Sequence, residues 1–362
     1  MHKAGWSLAP EEFRLCEKLG TRTLADLNKN NIEYAKSARK PMTTYIDVKN
    51  LSKNFEAINA VREISLRVEQ GEVLGFLGPN GAGKSTTMKM ITGYLTPSSG
   101  AVSIAGINIL QDPISAQRHI GYLPEGAPAY GEMTTYKYLD FIASVRRIPR
   151  KNKKDRINNI IDRINLNSVA ERKIEDLSKG YKRRVGLAQA IIHDPDILIM
   201  DEPTDGLDPN QKHEIRSLIR EMAPKKTIII STHILEEVDA VCTSTAIIDM
   251  GEIIFTGTPR QLSALSRYHD ALNIVVNVED AEKTKKIIGE QSDVSKVEEI
   301  YSGNEIRITA LLKNRKPCSD VIQATLSREK ILPKEYFFEK GRLDQVFRDL
   351  TSSAKDPLKE TS

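Results

Sequence analysis

The chain has 362 residues, 40% of them hydrophobic, with 53 basic residues against 49 acidic ones and a net charge of +4. Such a length corresponds to about two domains, and the longest apolar runs, such as Ile197 to Met200 and Ile228 to Ile230, are far too short for a membrane-spanning helix. The mild charge, without a concentrated basic face, excludes nucleic acid as the expected partner.

Residues 1–41 are polar, with scattered apolar residues such as Phe13, Leu19, Leu24 and Leu27. They predict one or two weak helices at most, and read as an appendage or an over-extended reading frame. They carry no apolar signal-peptide core. The three cysteines, Cys16, Cys242 and Cys318, have no metal-binding spacing and fit reduced thiols. A cytoplasmic chain is therefore expected, unless a partner carries it to a membrane surface. The working domain is expected to start near Met42, where Tyr45 to Val48 begins a strand-like alternation.

From there to about Pro259, strands and helices alternate. Glu72 to Leu77 predicts a strand. The helix after it carries Met88, Ile91 and Leu95 on one side and ends near Gly93, with Pro97 barring continuation. The dense basic stretch Arg146 to Lys154 reads as a solvated loop, with anionic lipid headgroups as an alternative contact. Asp196 to Met200 and Thr227 to Ile230 have the composition of strands buried on both faces. This alternation predicts a mainly parallel sheet covered by helices. Gly251 to Pro259 reads as a closing hairpin and a boundary.

Beyond it, Leu272 to Val278, Val294 to Tyr301, Glu305 to Ala310 and Glu335 to Glu339 predict strands, and Asp280 to Gly289 and Ser319 to Arg328 predict helices. The order βαββαβ is that of a small ferredoxin-like α+β domain over 271–350. A last amphipathic helix starts at Leu343 and repeats apolar residues at Val346, Phe347 and Leu350. Residues 351–362 are expected to be a polar tail.

Two segments carry chemistry. Residues 78–86 read Gly78, Pro79, Asn80, Gly81, Ala82, Gly83, Lys84, Ser85, Thr86. This satisfies GxxxxGK[ST] between a strand and a helix, the setting its mechanism requires. Glycines let the backbone wrap phosphates with N–H groups pointing inward, and the following helix aims its positive end at the same place. Lys84 supplies a charge for the β- and γ-phosphates of ATP, and Ser85 a hydroxyl for Mg²⁺. Downstream, a hydrophobic strand ends in adjacent carboxylates, Asp201 and Glu202. Asp201 is placed to hold Mg²⁺, usually through its water shell, and Glu202 to orient and deprotonate an attacking water. His233 follows a third central strand and is placed to hydrogen-bond a γ-phosphate.

Taken together these residues resemble the ABC-type ATPases over about residues 45–260. Leu177-Ser178-Lys179-Gly180-Tyr181 stands where that family has LSGGQ, followed by Arg183, Arg184 and the run Val185 to Ala190. Gly206-Leu207-Asp208 looks like the D-loop, and Phe55 resembles the aromatic that stacks on adenine. The resemblance implies an α/β P-loop NTPase cassette over 42–260, with a parallel-sheet core, an antiparallel β subdomain and a helical subdomain. It implies that Ser178 and Gly180 serve the γ-phosphate of a partner subunit's ATP, so that the active unit is a dimer. Two departures stand out. Lys179 and Tyr181 replace glycine and glutamine of the signature. Gly121 to Glu125 aligns with a loop that usually ends in glutamine, so Glu125 would offer Mg²⁺ a charged oxygen.

The variants resemble the ABC-2 type exporter subgroup, and within it ATP-binding subunits described as gliding-motility-associated. That implies a separate multi-spanning membrane subunit and a peripheral position on the inner face of a bacterial membrane. The segment from Glu125 to about Val145, with Tyr130, Met133, Tyr136, Tyr138 and Phe141, would then face the coupling helices of that subunit, although Phe141 itself is expected in the local core. The competing readings are a soluble ABC ATPase acting on ribosomes or DNA and a nucleotide-sensing regulator. The single cassette, the short gap from Glu125 to Leu177, and the intact Glu202 and His233 weigh against them.

Overall fold

The computed structural model describes residues 44–127, 129–313 and 319–353. The expectations for residues 1–41, Cys16 and Cys318 lie outside the described residues.

Two sheets build the first part. An antiparallel sheet has the order β2-β1-β4-β5, from β1 (Thr44–Phe55), β2 (Ile58–Glu69), β4 (Ser99–Ile104) and β5 (Ile107–Asn108). The second has the order β10-β9-β3-β8-β7-β6. Its members are β3 (Val73–Leu77), β6 (Ile120–Leu123), β7 (Ile197–Asp201), β8 (Thr227–Thr232), β9 (Ser244–Asp249) and β10 (Glu252–Gly257). All its pairings are parallel except that of β10 with β9.

The central strands read as unbroken apolar runs because each face meets a different core. Ile197 and Ile199 point into a core shared with the antiparallel sheet, where Ile46, Val48 and Val102 are buried. Leu198 and Met200 point the opposite way, against a helical layer. Covering both faces leaves no position for a polar side chain until the strand ends at Asp201.

The helices in chain order are α1 (Lys84–Ile91), α2 (Pro113–Arg118), α3 (Thr135–Val145), α4 (Arg150–Arg163), α5 (Lys179–Ile191), α6 (Pro209–Met222), α7 (Leu235–Val241) and α8 (Pro259–Ser263). Helix α1 ends at Ile91, so Leu95 packs from beyond the helix rather than on its stripe.

The basic stretch is a loop only over residues 146–149. From Arg150 onward it forms the first turns of α4, whose Ile157, Ile160 and Ile161 are buried. Arg146 donates to the Gln117 carbonyl at 3.0 Å. The apolar spacing behind the charges overrides their polar look, because three buried isoleucines at i, i+3 and i+4 fix one helix face.

Phe141 also departs from expectation. It is 39% exposed, and its ring meets that of Tyr130, itself 60% exposed, edge-on at 5.7 Å between centroids. Tyr138 and Leu139 fill the local core instead. Phe141 lies two residues past Leu139, about 200° around the helix, and is turned outward.

A third sheet follows, with order β12-β13-β11-β14: β11 (Leu272–Asn277), β12 (Val294–Ser302), β13 (Glu305–Leu312) and β14 (Glu335–Phe338). All its pairings are antiparallel. With α9 (Ala281–Gly289) after β11 and α10 (Ser319–Arg328) after β13, the chain order is βαββαβ around one core. The last helix, α11 (Leu343–Ser353), returns to the parallel sheet. Its Val346 is buried with Leu77, Val238, Ile247 and Leu262, so the segment expected as a tail begins as the final turn of a docked helix.

Candidate nucleotide site

The parallel sheet delivers the carboxyl ends of β3, β7 and β8 side by side. Residue Leu77 pairs with Thr232, and Asp201 with Ser231. The loop Gly78 to Gly83 therefore leaves the sheet beside the carboxylates that end β7. In open α/β sheets ligands bind at such strand ends.

The loop's shape is set by its glycines and by the neighbouring sheet. Gly83 sits at φ +107, and a Cβ there would lie 2.6 Å from the Ala60 carbonyl oxygen. Only glycine combines that dihedral with that approach. Gly251, in the β9–β10 turn, donates to the Ala82 carbonyl at 3.0 Å and accepts from Arg62 at 2.8 Å. The loop is thus clamped between β2 and the β9–β10 hairpin. Pro79 is half-buried, Asn80 and Gly81 are exposed at the tip, and Ser85 and Thr86 lie half-buried in the first turn of α1.

Lys84 is buried at the start of α1. Its ammonium donates to the carbonyls of Gly78 at 2.8 Å and Pro79 at 3.2 Å, and stands 3.6 Å from Glu202 Oε1. The other Glu202 oxygen, Oε2, is 2.9 Å from His233 Nδ1. One carboxylate therefore joins the phosphate-loop lysine to the histidine after β8. A cation, a base and a polar ring converge at one strand end, where attraction for phosphate and activation of water are both available.

Asp201 and Glu202 diverge. Asp201 Oδ1 accepts from the Ser231 hydroxyl, while its Oδ2 is buried without a hydrogen-bond partner among the described residues. A buried carboxylate oxygen left in that way is what a hard divalent cation satisfies. Glu202 turns at φ +50, a left-handed conformation for a residue with a side chain. Its N–H donates to the Ser231 carbonyl at 3.1 Å and to the Ser231 hydroxyl at 3.2 Å. Its carbonyl accepts from the Asp205 N–H at 3.2 Å and from Arg183.

The remaining sequence-predicted residues lie outside this cluster. Ser178 is the exposed N-cap of α5 and accepts from Tyr181 N–H at 3.4 Å. Gly180 is buried, and a Cβ on it would strike the Gln211 side chain. Glu125 is exposed after β6, and no hydrogen bond or ion pair joins it to Lys84, Asp201 or Glu202. Phe55 ends β1 across the turn from Ile58, its ring 44% exposed and 5.1 Å from the Lys53 ammonium.

Three residues have a supporting role that the sequence did not assign. Arg183, only 5% exposed, donates to the carbonyls of Pro124 at 3.2 Å, Asp201 at 2.6 Å, Pro203 at 3.1 Å and Glu202. Burial pulls its guanidinium below the usual range. Its signal was helical spacing: Gly180, Arg183 and Leu187 share one buried face of α5, so a cation had to meet acceptors there. Ser231 backs both acidic residues. Glu237, buried in α7, accepts from the hydroxyls of Thr204 and, at 2.8 Å, Thr232, and so ties the loops after β7 and β8 together. Burial pushes its carboxyl above the ordinary range.

Comparison with known proteins agrees with this fold. The profile of the family described as ABC transporter matches residues 61–205. The ABC transporter ATP-binding protein NatA of Bacillus subtilis (strain 168) is 36% identical over 231 residues, covering 62% of this chain and 94% of that protein. The probable multidrug ABC transporter ATP-binding protein YbhF of Escherichia coli (strain K12) is 35% identical over 227 residues, but the chain spans only 39% of its length. A solved dimeric post-hydrolysis structure of an ATP-binding cassette with ADP and Pi shares the fold, at 22% identity and a TM-score of 0.56, over 59% of this chain and 98% of that one. With its phosphate loop, paired carboxylates and histidine assembled on this sheet, the chain belongs to the ATP-binding proteins of ABC transporters.

Proposed function

We propose that the chain is the ATP-hydrolysing subunit of a membrane exporter, acting as a dimer beneath a separate multi-spanning membrane subunit of the ABC-2 type. The observation that carries the hydrolytic part is the joining of Lys84 and His233 through the two oxygens of Glu202.

Phosphoryl transfer to water depends mainly on positioning and charge stabilisation. Lys84 and the N–H groups of the loop and of α1 attract the β- and γ-phosphates. Glu202 accepts a proton from water, and His233 holds Glu202 oriented and is in place to meet the γ-phosphate. Ser85, Asp201 and Glu125 would hold Mg²⁺, which neutralises charge on the phosphate oxygens; the unsatisfied Asp201 oxygen fits that role best.

The dimer reading is supported by the exposed N-cap of α5. Ser178 presents a helix N-terminus, an anion-attracting end, to solvent rather than to the chain's own Lys84. A partner's γ-phosphate is its fitting occupant. The membrane-subunit reading is supported by the exposed aromatic pair Tyr130 and Phe141 near α3. No helix among the described residues is long and apolar enough to cross a membrane.

Detergent extraction of cell membranes with the tagged chain tests this. A multi-spanning protein should co-purify in stoichiometric amount and be lost with Tyr130→Ala/Phe141→Ala. Recovery of the chain only in the soluble fraction, without such a partner, would remove the exporter reading and leave a soluble ATPase.

A further inference from the structure

We infer that Lys179 is a positioning residue for Glu202, acting through an ion pair with Asp205. The inference rests on the reading of Glu202 as the group that activates water.

Lys179 stands where the family signature has glycine, so its side chain is extra to that pattern. Its ammonium lies 2.9 Å from Asp205 Oδ2. The alkyl stem crosses Gly206, where a Cβ would sit 2.1 Å from the ammonium and 2.6 Å from the adjoining carbon. Gly206 is at φ +67 and leaves room for the crossing. The lysine therefore straps the first turn of α5 onto the loop that follows Glu202.

That loop is short and stiff. The Asp205 N–H donates to the Glu202 carbonyl at 3.2 Å, and the Leu207 N–H to the Thr204 carbonyl at 3.2 Å. Asp205 is thus bonded to Glu202 by its backbone and to Lys179 by its side chain. Glu202 is held in a left-handed conformation that persists only when its surroundings enforce it. Ser231 enforces it on the amide side. On the carbonyl side, both enforcing groups come from α5 or through it: Arg183 directly, and Lys179 by way of Asp205. Arg184 to Glu214, at 2.5 Å, carries the same seam outward to α6. The signature helix and the turn at Glu202 are therefore bonded to each other, and Lys179 is the exposed clasp between them.

An exposed pair of this kind adds little to stability, so its effect belongs in turnover. Steady-state ATPase of the full chain should show Lys179→Gln and Asp205→Asn each lowering kcat by about fivefold, since small misplacement of a catalytic group is costly. KM for ATP and the thermal midpoint should stay at wild-type values. The double variant should be no slower than either single one. Lys179→Arg and the reversed pair Lys179→Asp/Asp205→Lys should recover most of kcat. Unchanged kcat in Lys179→Gln, losses that multiply in the double variant, or a reversed pair no better than the neutral double would overturn the inference. Recovery of Lys179→Gln at higher protein concentration would place the lysine in subunit contact instead, and also overturn it. Glu202→Gln, measured alongside, separates the two levels: a fully active Glu202→Gln variant removes the reading of Glu202 and the inference with it.

Discussion

At the scale of single residues, the site is built by divergence of two neighbours. Asp201 ends a buried strand and keeps one oxygen without a partner among the described residues, while Glu202 leaves the strand in a left-handed turn and faces Lys84 and His233. Glu202→Gln keeps the shape and removes the base. Turnover should fall by about 10²- to 10⁴-fold, the usual worth of a general base, while equilibrium binding of labelled ATP is retained. Near-normal turnover would rule out the base assignment. Arg183 supports the same turn from below. Arg183→Met leaves buried carbonyls without donors, and urea unfolding should show a loss on the order of 3 kcal/mol. A loss under 1 kcal/mol would mean that water replaces the guanidinium.

Secondary elements act here mainly through their ends. Helix α5 starts at the Ser178 cap, and Ser178→Ala should cost about 1 kcal/mol of stability; a larger effect on ATPase than on stability would mark a contact with nucleotide as well. Past the other end of α5, His193 Nε2 reaches the Ile120 carbonyl at 3.1 Å. Burial is the largest influence on its imidazole, and Arg146 adds to it; the value is pulled down to about 4. The folded state therefore keeps this ring neutral where the unfolded chain, near 6.5, has begun to bind a proton. The unfolded state binds more protons between those values, so stability is lost as pH falls from 6.5 toward 4, by up to about 3 kcal/mol. Denaturant midpoints taken across that range should shift in the wild type and shift less in His193→Gln. Equal slopes would assign the acid sensitivity to other groups.

For the molecule as a whole, the returning helix α11 sets the connection between the last sheet and the first. Val346 is buried with Leu77, the residue before the phosphate loop, and with Leu262 of α8. The contact makes the C-terminal segment part of the cassette's own core. Val346→Ala removes two buried methyl groups, or roughly 2 kcal/mol. Thermal unfolding should then move to lower temperature as a single transition, with ATPase and near-ultraviolet signals together. Separate transitions would show that the two parts melt independently.

The sequence by itself determined the elements whose local chemistry is unambiguous. The phosphate loop was legible because glycine spacing, lysine and hydroxyl all serve one ligand. The strand ending at Asp201 was legible because burial on both faces leaves an unbroken apolar run. The order βαββαβ followed from alternating patterns. Other features depend on which surfaces meet in space. Phe141 is outward and Tyr138 inward, although both are aromatic residues of one helix. The stretch from Arg150 becomes a helix because Ile157, Ile160 and Ile161 find a core. Tertiary structure set the direct contacts of Lys84 and His233 with the two oxygens of Glu202, three residues that the sequence had directed to one phosphate from separate strand ends brought level by parallel pairing. It also placed Arg183 beneath the turn at Glu202 and Lys179 across it. A helix shows in sequence which residues share its face, but the acceptors and carboxylates it meets come from distant segments, and only the fold brings them within hydrogen-bond reach.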